Sequence, residues 1–135
     1  MAQPGRSGQY PVMPSKLLVV DDSKLIRDSL RGLLATIAGI TSVTEADSLA
    51  HALQSAWRDP PTLVILDLRL PDGLCTQIIG PLKSISCGLR IAVFTIHADD
   101  KYREQCLALG ADWFFDKATE FDKLLDVVRQ HTALN

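Results

Sequence analysis

The sequence lacks a long hydrophobic run and an excess of basic charge. Its apolar stretches, such as residues 63–66, are far too short to span a bilayer. Because 14 Lys and Arg residues stand against 16 Asp and Glu residues, the net charge is −2. Binding to nucleic acid through bulk charge is therefore not expected. The first residues, MAQPGRSGQYP, contain no apolar stretch and do not resemble a secretory signal.

Cysteine is scarce and irregularly placed. Cys75, Cys87 and Cys106 are odd in number, have no CxxC spacing and have no histidine at zinc-ligand spacing. We therefore expect neither a disulfide framework nor a zinc site. Small, buried or half-buried apolar thiols are the simpler interpretation, and they indicate a reducing cytoplasm as the location.

The length and composition are those of one folded domain. The chain has 135 residues, of which 47% are hydrophobic and 22% charged, which is enough to form a single core. Residues 1–14 are rich in proline and glycine and show no periodicity, so a flexible tail is predicted there. The domain itself is expected over residues 15–135.

Short apolar runs then alternate five times with helical patterns. The predicted strands cover residues 17–20, 42–46, 63–66, 90–95 and 113–116. Each is followed by a helical pattern, and such alternation predicts a parallel sheet with right-handed crossovers and helices on both faces. The fold class is therefore α/β, a (βα)5 three-layer sandwich.

Details of three helices can also be predicted. Asp47 is placed to cap the second helix, which carries Trp57 on its apolar side. The Gly80–Pro81 pair predicts a late start or a kink in the third helix. Thr119 and Asp122 have the spacing of a capping box at the start of the fifth.

Five polar side chains follow the predicted strands. Asp21 and Asp22 come after the first strand, Asp67 after the third and Lys117 after the fifth, while Thr95 ends the fourth. In a parallel sheet of this kind, ligands bind outside the carboxyl ends of the strands. We therefore expect these side chains to meet at one edge.

The predicted cluster suits a divalent cation and a phosphoryl group. Three neighbouring carboxylates repel one another, and their all-oxygen chemistry favours Mg²⁺, or Mn²⁺ in its place, over zinc. Lys117 offers a mobile point charge and Thr95 a hydroxyl donor for phosphoryl oxygens. Asp67, between the metal and the lysine, is the natural nucleophile for an acyl phosphate.

Four motifs resemble the receiver domain of bacterial two-component response regulators, of the single-domain kind found in chemotaxis regulators. The resemblance covers about residues 15–133 and implies a flavodoxin-like sheet of strand order 2-1-3-4-5. The motifs are VVDDS at 19–23, LVILDLRLPDG at 63–73, VFT at 93–95 and FFDK at 114–117.

The resemblance implies roles for the acidic residues and for one carbonyl. Asp67 resembles the phosphate-accepting aspartate. Asp22, with Asp21 behind it, resembles the acidic pair that holds Mg²⁺ together with Asp67. The main-chain carbonyl of Arg69 resembles the remaining protein ligand of the metal.

The resemblance also implies a switch. Thr95 and Lys117 resemble the pair that contacts the phosphoryl group, and Phe114 resembles the aromatic residue that follows the threonine inward. The face formed by the fourth helix, the fifth strand and the fifth helix is often the output surface of such domains.

The sequence departs from the family pattern around the site. Ala118 stands where proline commonly follows the lysine, so a cis bond is not expected there. Ile96 stands where a small residue is usual and narrows phosphoryl access. Arg69 and His97 occupy rim positions that vary in the family and tune the lifetime of the phosphoryl group.

We therefore predict a stand-alone receiver. A histidine kinase or phosphotransfer protein would phosphorylate Asp67, and the change would alter binding to a downstream protein, with the chain monomeric or dimerising on phosphorylation. Slow self-catalysed dephosphorylation fits this hypothesis, but dedicated catalysis does not, since Arg69 replaces the second acid that aspartyl-phosphate phosphohydrolases need. The alternative is a protein-binding module of receiver fold that never uses phosphorylation.

Overall fold

Five segments, four of which contain an apolar run of three residues or more, form the central strands of the computed structural model, which describes residues 15–133. The strands are β1 (Ser15–Val20), β2 (Ile40–Ala46), β3 (Leu63–Leu66), β4 (Arg69–Leu70), β5 (Gly73–Leu74), β6 (Arg90–Thr95) and β7 (Trp113–Asp116). The helices are α1 (Lys24–Leu34), α2 (Leu49–Arg58), α3 (Ile79–Ile85), α4 (Asp100–Ala108) and α5 (Phe121–Ala133), and a 3₁₀ turn (Cys75–Gln77) precedes α3.

The main sheet is parallel and has the order β2-β1-β3-β6-β7. Because β6 and β7 are the fourth and fifth strands of this sheet, the order is the predicted 2-1-3-4-5, and the flavodoxin-like fold is confirmed. β4 and β5 form a separate antiparallel hairpin around the predicted turn at residues 71–73. The strand order reverses between β1 and β3, where folds of this type bind ligands.

Alternate residues of the strands supply two cores, one on each face. Leu18 and Val20 point to the core covered by α2, α3 and α4, while Leu17 and Val19 point to the core covered by α1 and α5. The central strands are therefore apolar on both sides, as buried parallel strands usually are. None of the helices within residues 15–133 combines the length and hydropathy needed to cross a bilayer.

The predicted strands agree with the structure, but several details of the helices do not. Asp47 does not cap α2: Ser48 is the cap residue, and its Oγ accepts a hydrogen bond from the His51 amide at 3.1 Å. Trp57 lies outside the core and is largely exposed. α1 ends at Leu34, and Gly39, whose φ is 95°, lies in the turn that leads into β2.

The predicted capping box at α5 was also wrong. No side-chain hydrogen bond joins Thr119 and Asp122 in the described part of the chain. Instead, Glu120 Oε1 accepts from the Asp116 amide at 3.0 Å, and Asp116 Oδ1 accepts from the Ala118 amide at 2.8 Å. The late start of α3 was correct, because the 3₁₀ turn comes first.

Two further predictions concern the cysteines and the N-terminal segment. All three cysteines are free; Cys75 and Cys106 are buried with their sulfurs 4.0 Å apart, whereas Cys87 is exposed, against expectation. The flexible tail predicted for residues 1–14 lies outside the described residues.

Two leucines of α1 provide a stability test. We expect Leu30→Ala to lower the free energy of unfolding by about 2–5 kcal/mol, because it leaves a cavity in the core between α1 and the sheet. Leu25 is 75% exposed, so Leu25→Ala should change the free energy by less than about 0.5 kcal/mol. Urea unfolding followed by circular dichroism measures both, and equal losses would contradict this packing.

Candidate functional site

Residues from the ends of β1, β3, β6 and β7 surround one open pocket of about 380 Å³ at the carboxyl edge of the sheet. Seven of the nine predicted site residues line this pocket, and Thr95 and Phe114 lie beneath it in the protein interior. Two further residues, Ser23 and Ile26 of the first turn of α1, were not predicted. The lining residues are Asp21, Asp22, Ser23, Ile26, Asp67, Arg69, Ile96, His97 and Lys117.

The three predicted carboxylates meet, and they differ in exposure. Asp21 and Asp67 are 3% and 8% exposed, whereas Asp22 is open to solvent. Each offers an oxygen that lies within 4.8 Å of the others. Asp21 Oδ1 accepts from the Ser23 amide at 2.9 Å, and Asp67 Oδ1 accepts from the Leu68 amide at 2.8 Å, so main-chain donors orient both buried groups.

Lys117 holds the two buried carboxylates together. Its ammonium donates to Asp21 Oδ2 at 2.5 Å and to Asp67 Oδ2 at 3.0 Å. The Lys117 amide donates to the Thr95 carbonyl at 3.0 Å, which fixes the start of the side chain beside β6. Burial alone would lower the pKa of Lys117, but Asp21 and Asp67 outweigh it and raise the pKa above its usual range. The lysine is therefore charged at neutral pH.

Asp67 is under electrostatic strain in spite of this partner. Burial raises the pKa of the Asp67 carboxyl above its ordinary value, and it outweighs the opposing effect of the Lys117 charge. Asp21 adds to the increase through charge repulsion. A further cation close to Asp67 would relieve this strain.

The residues present fit a magnesium ion. The three carboxylates and the Lys117 ammonium together carry a charge of −3 + 1 = −2 when all are ionised. The donors are oxygens only, which Mg²⁺ prefers, and the open side of the pocket leaves space for the waters that it retains. Arg69, whose main-chain carbonyl is the predicted fourth ligand, lines the same pocket.

The two predicted switch residues, Thr95 and Phe114, are buried. Thr95 is fully buried at the end of β6, and its Oγ1 accepts from the His97 amide at 3.1 Å, so its proton is available for another acceptor. Phe114 is also buried, in the core covered by α4. The Arg103 guanidinium carbon lies 5.1 Å from the centre of its ring. The inward position of Phe114 is thus the one that this structure contains.

Arg69, Ile96 and His97 are exposed at the rim of the pocket. Arg69 donates from Nη2 to the Tyr102 hydroxyl at 3.1 Å, and its guanidinium carbon lies 5.6 Å from the centre of the same ring. Ile96 is 68% exposed and places an apolar side chain beside the charged groups. His97 follows it at the same rim. The Lys117–Ala118 bond is trans, as expected.

One supporting side chain was missed by the sequence analysis. Arg27, in α1, donates to the main-chain oxygen of Asp21 at 2.6 Å and to Glu45 on β2 at 2.9 Å. The sequence signal was its place one turn after the capping residue Ser23, which returns the side chain towards the acidic loop.

The sequence matches the family model described as response regulator receiver domain over residues 17–129. A longer protein of Pseudomonas aeruginosa is 40% identical over 113 residues, which cover 82% of this chain and 53% of that protein. The nitrate/nitrite response regulator protein NarL of Escherichia coli is 28% identical over 120 residues, covering 89% of this chain and 56% of NarL. The chain thus spans about half the length of these relatives.

Solved structures agree on the fold. A CheY-like receiver domain protein of Methanospirillum hungatei superposes with a TM-score of 0.80 at 23% identity, covering 90% of this chain and 95% of that one. A response regulator of Burkholderia pseudomallei superposes with a TM-score of 0.75 at 26% identity, covering 88% of this chain and 69% of that one. The second structure contains a phosphorylated aspartic acid, a calcium ion and citrate.

Receiver domains of response regulators are signalling domains that interact with histidine kinases and downstream effectors. The family match covers nearly all of the described chain, and the fold and the carboxylate pocket agree with it. The chain therefore belongs to the receiver-domain family of two-component response regulators.

Proposed function

We propose that residues 15–135 form a phosphoacceptor switch in which Asp67 receives a phosphoryl group from a histidine kinase or a phosphotransfer protein. The observation that carries the proposal is the position of the Asp67 carboxylate at an open pocket, beside two further carboxylates and the Lys117 ammonium. The phosphorylated aspartic acid in the Burkholderia pseudomallei regulator supports the same chemistry.

Asp21, Asp22, Asp67 and the main-chain carbonyl of Arg69 would hold Mg²⁺, with Mn²⁺ able to substitute. When bound, the ion supplies positive charge that lets an anionic phosphoryl group approach the carboxylates. The calcium ion in the Burkholderia pseudomallei regulator supports a divalent cation near the acceptor.

The transfer step follows from the nucleophile and its neighbours. An oxygen of Asp67 forms a bond to phosphorus while the bond from phosphorus to the donor's histidine nitrogen breaks, and that nitrogen keeps the electron pair. The product is an acyl phosphate on Asp67. Lys117 and the Thr95 hydroxyl then pair with phosphoryl oxygens, so the buried charge acquires partners.

The switch uses the same two side chains. When Thr95 and Lys117 turn towards the phosphoryl group, the packing of Phe114 and of α4 against β7 must adjust. This shifts an equilibrium between two arrangements of the face that a downstream protein recognises. The added negative charge is the local event that drives the shift.

Hydrolysis of the acyl phosphate would be slow, so the domain acts as a signalling element within a phosphorelay. Arg69, at the position where phosphohydrolases need a second acid, carries a guanidinium that does not donate protons at neutral pH. Three free thiols fit the reducing cytoplasm. The working unit we propose is a monomer or a dimer formed on phosphorylation, with no nucleic acid or membrane contact of its own.

Incubation with acetyl phosphate and Mg²⁺ tests the acceptor. We expect the intact mass to increase by one phosphoryl group, and we expect the increase to require both Mg²⁺ and Asp67. Asp67→Asn should abolish the increase, because an amide oxygen is a poor nucleophile. Asp47→Asn is the control, since this exposed carboxylate lies outside the pocket and should leave labelling unchanged.

Failure of both acetyl phosphate and beryllofluoride to react with or bind the wild-type protein would contradict the proposal. The alternative, a binding module of receiver fold that never uses phosphorylation, would then be favoured. The exposed apolar side chain of Ile96 at the pocket entrance supports that alternative.

Substitution of Ile96 tests whether its side chain narrows the access of a phosphoryl group to Asp67. We expect Ile96→Ala to accelerate labelling by acetyl phosphate and subsequent hydrolysis, each by about threefold or more, because the phosphorus becomes easier to reach in line. Time-resolved mass spectrometry gives both rates. Leu107→Ala is the matched control, because it shortens an exposed aliphatic side chain on α4 that does not line the pocket. Unchanged rates in Ile96→Ala would remove Ile96 from the tuning residues.

Leu25, which is 75% exposed and precedes the pocket residue Ile26 in the chain, tests docking of a protein donor. We expect Leu25→Ala to slow transfer from a phosphohistidine protein by about fivefold to tenfold, since interfaces depend on a few apolar anchors. Transfer from acetyl phosphate should not change, because no protein contact is involved. Leu33→Ala is the control on the same helix, 41% exposed and two turns further along. Equal slowing in both variants would refute docking through Leu25.

A further inference from the structure

Arg27 connects the acidic loop to the neighbouring strand. Its Nη1 donates to the main-chain oxygen of Asp21 at 2.6 Å, and its Nε donates to Glu45 Oε1 at 2.9 Å. The Arg27 side chain is 15% exposed, so both bonds are largely shielded from water. A planar guanidinium can hold two acceptors in a fixed relative geometry, which a lysine ammonium does not do.

The carbonyl that Arg27 holds has a defined consequence for the site. The Asp21 carbonyl and the Asp22 amide belong to one rigid peptide plane, so the direction of the carbonyl sets the direction of the chain at Asp22. On the other side, the Asp21 amide donates to the Ala46 carbonyl at 3.0 Å. Both peptide groups of Asp21 are therefore fixed, and the exposed carboxylate of Asp22 projects from a rigid support.

The charge of Arg27 is balanced away from the pocket. Burial would raise the pKa of Glu45, but its hydrogen bonds to Arg31 and Arg27 outweigh burial and hold the pKa below its usual range. Glu45 is thus ionised and neutralises one guanidinium. Because Arg27 bonds a main-chain oxygen and not a carboxylate of the pocket, it leaves the carboxylate oxygens open to a cation.

We propose that Arg27 is a positioning residue for the divalent cation: by holding the Asp21–Asp22 peptide against Glu45, it sets the Asp22 carboxylate in place to bind the metal. The inference rests on the metal site of the proposed function and deepens it. Arg27 itself does not contact the ion.

Arg31 provides a matched control. It bonds the same Glu45, with its Nε 2.9 Å from Oε2, but its other donor reaches the Val43 carbonyl at 2.8 Å and not Asp21. Both arginines lie on α1, one turn apart, and both would lose an ion pair with Glu45 on substitution. They differ in their contact with the acidic loop.

The test is direct binding of Mn²⁺ to the full chain, with free Mn²⁺ measured by electron paramagnetic resonance. We expect Arg27→Ala to weaken binding by about tenfold or more, the usual effect of losing a group that orients a metal ligand. Arg31→Ala should stay within about twofold of the wild type. The Mg²⁺ concentration for half-maximal labelling by acetyl phosphate should rise in Arg27→Ala, while the rate at saturating Mg²⁺ stays near the wild-type rate.

Each outcome has one meaning. Unchanged Mn²⁺ affinity in Arg27→Ala, or equal weakening in Arg27→Ala and Arg31→Ala, would overturn the positioning role while leaving the metal site intact. Absence of Mn²⁺ binding to the wild type would instead contradict the proposed function. If Arg27→Ala does not fold, the pair Arg27→Lys and Arg31→Lys replaces it, and the expected order of affinities is the same.

Discussion

The rest of the site depends on the two hydrogen bonds that the Lys117 ammonium donates. The ammonium lies between Asp21 and Asp67, two carboxylates that are both less than one-tenth exposed. Burying charge is expensive unless each charge has partners, and here one cation serves two anions. The negative charge that remains, to which Asp22 contributes, favours a second cation in the pocket. The folded site therefore carries excess negative charge, which a bound cation can neutralise.

The parallel sheet explains why these groups meet, and so the centre of the site could be predicted from the sequence. Three of the five sheet strands, β3, β6 and β7, begin and end where the apolar runs predicted. The positions of Asp67 and Lys117 follow from the ends of β3 and β7. What decided the prediction was the parallel direction of the strands, because a polar residue at the end of a short apolar run then lies at the carboxyl edge of the sheet.

The features that could not be predicted depend on contacts between distant parts of the chain. The cap of α2 illustrates this: Ser48 supplies the local bond, and Asp72, from the β4–β5 hairpin, accepts from the amides of Leu49 and Ala50 at 2.8 and 3.0 Å. Helical periodicity assigned Trp57 to the core, but position along the helix sets exposure only when a neighbouring element covers that face.

The same limit applies to the choice of partner within the site. Lys117 was predicted to act on phosphoryl oxygens, and the sequence carries no signal that Asp21 is its nearer partner. The Arg27 contact depends on β2 lying beside β1, since Glu45 becomes a neighbour of the acidic loop only in that order. Residue type and spacing identified the chemical groups of the site. Which groups form hydrogen bonds with each other depends on neighbours in space, which the sequence does not reveal.

The shared lysine also explains why a small chemical change can alter a surface. A single ammonium has three donors, and those directed at Asp21 and Asp67 are not available to a phosphoryl group in the same arrangement. In the proposed function, phosphorylation of Asp67 would therefore redistribute the bonds of Lys117. Movement of the lysine would also affect Thr95, whose carbonyl accepts from the Lys117 amide.

The element best placed to respond is α4. Cys106 is its one fully buried side chain, whereas α2 buries three. Two exposed arginine contacts join α4 to the site: Arg69 with Tyr102, and Arg103 with Phe114. Helices with few buried contacts rearrange at low free energy. In the proposed switch, the acidic loop held by α1 and β2 would therefore stay in place, and a charge placed on Asp67 would act on the side where α4 meets the rim.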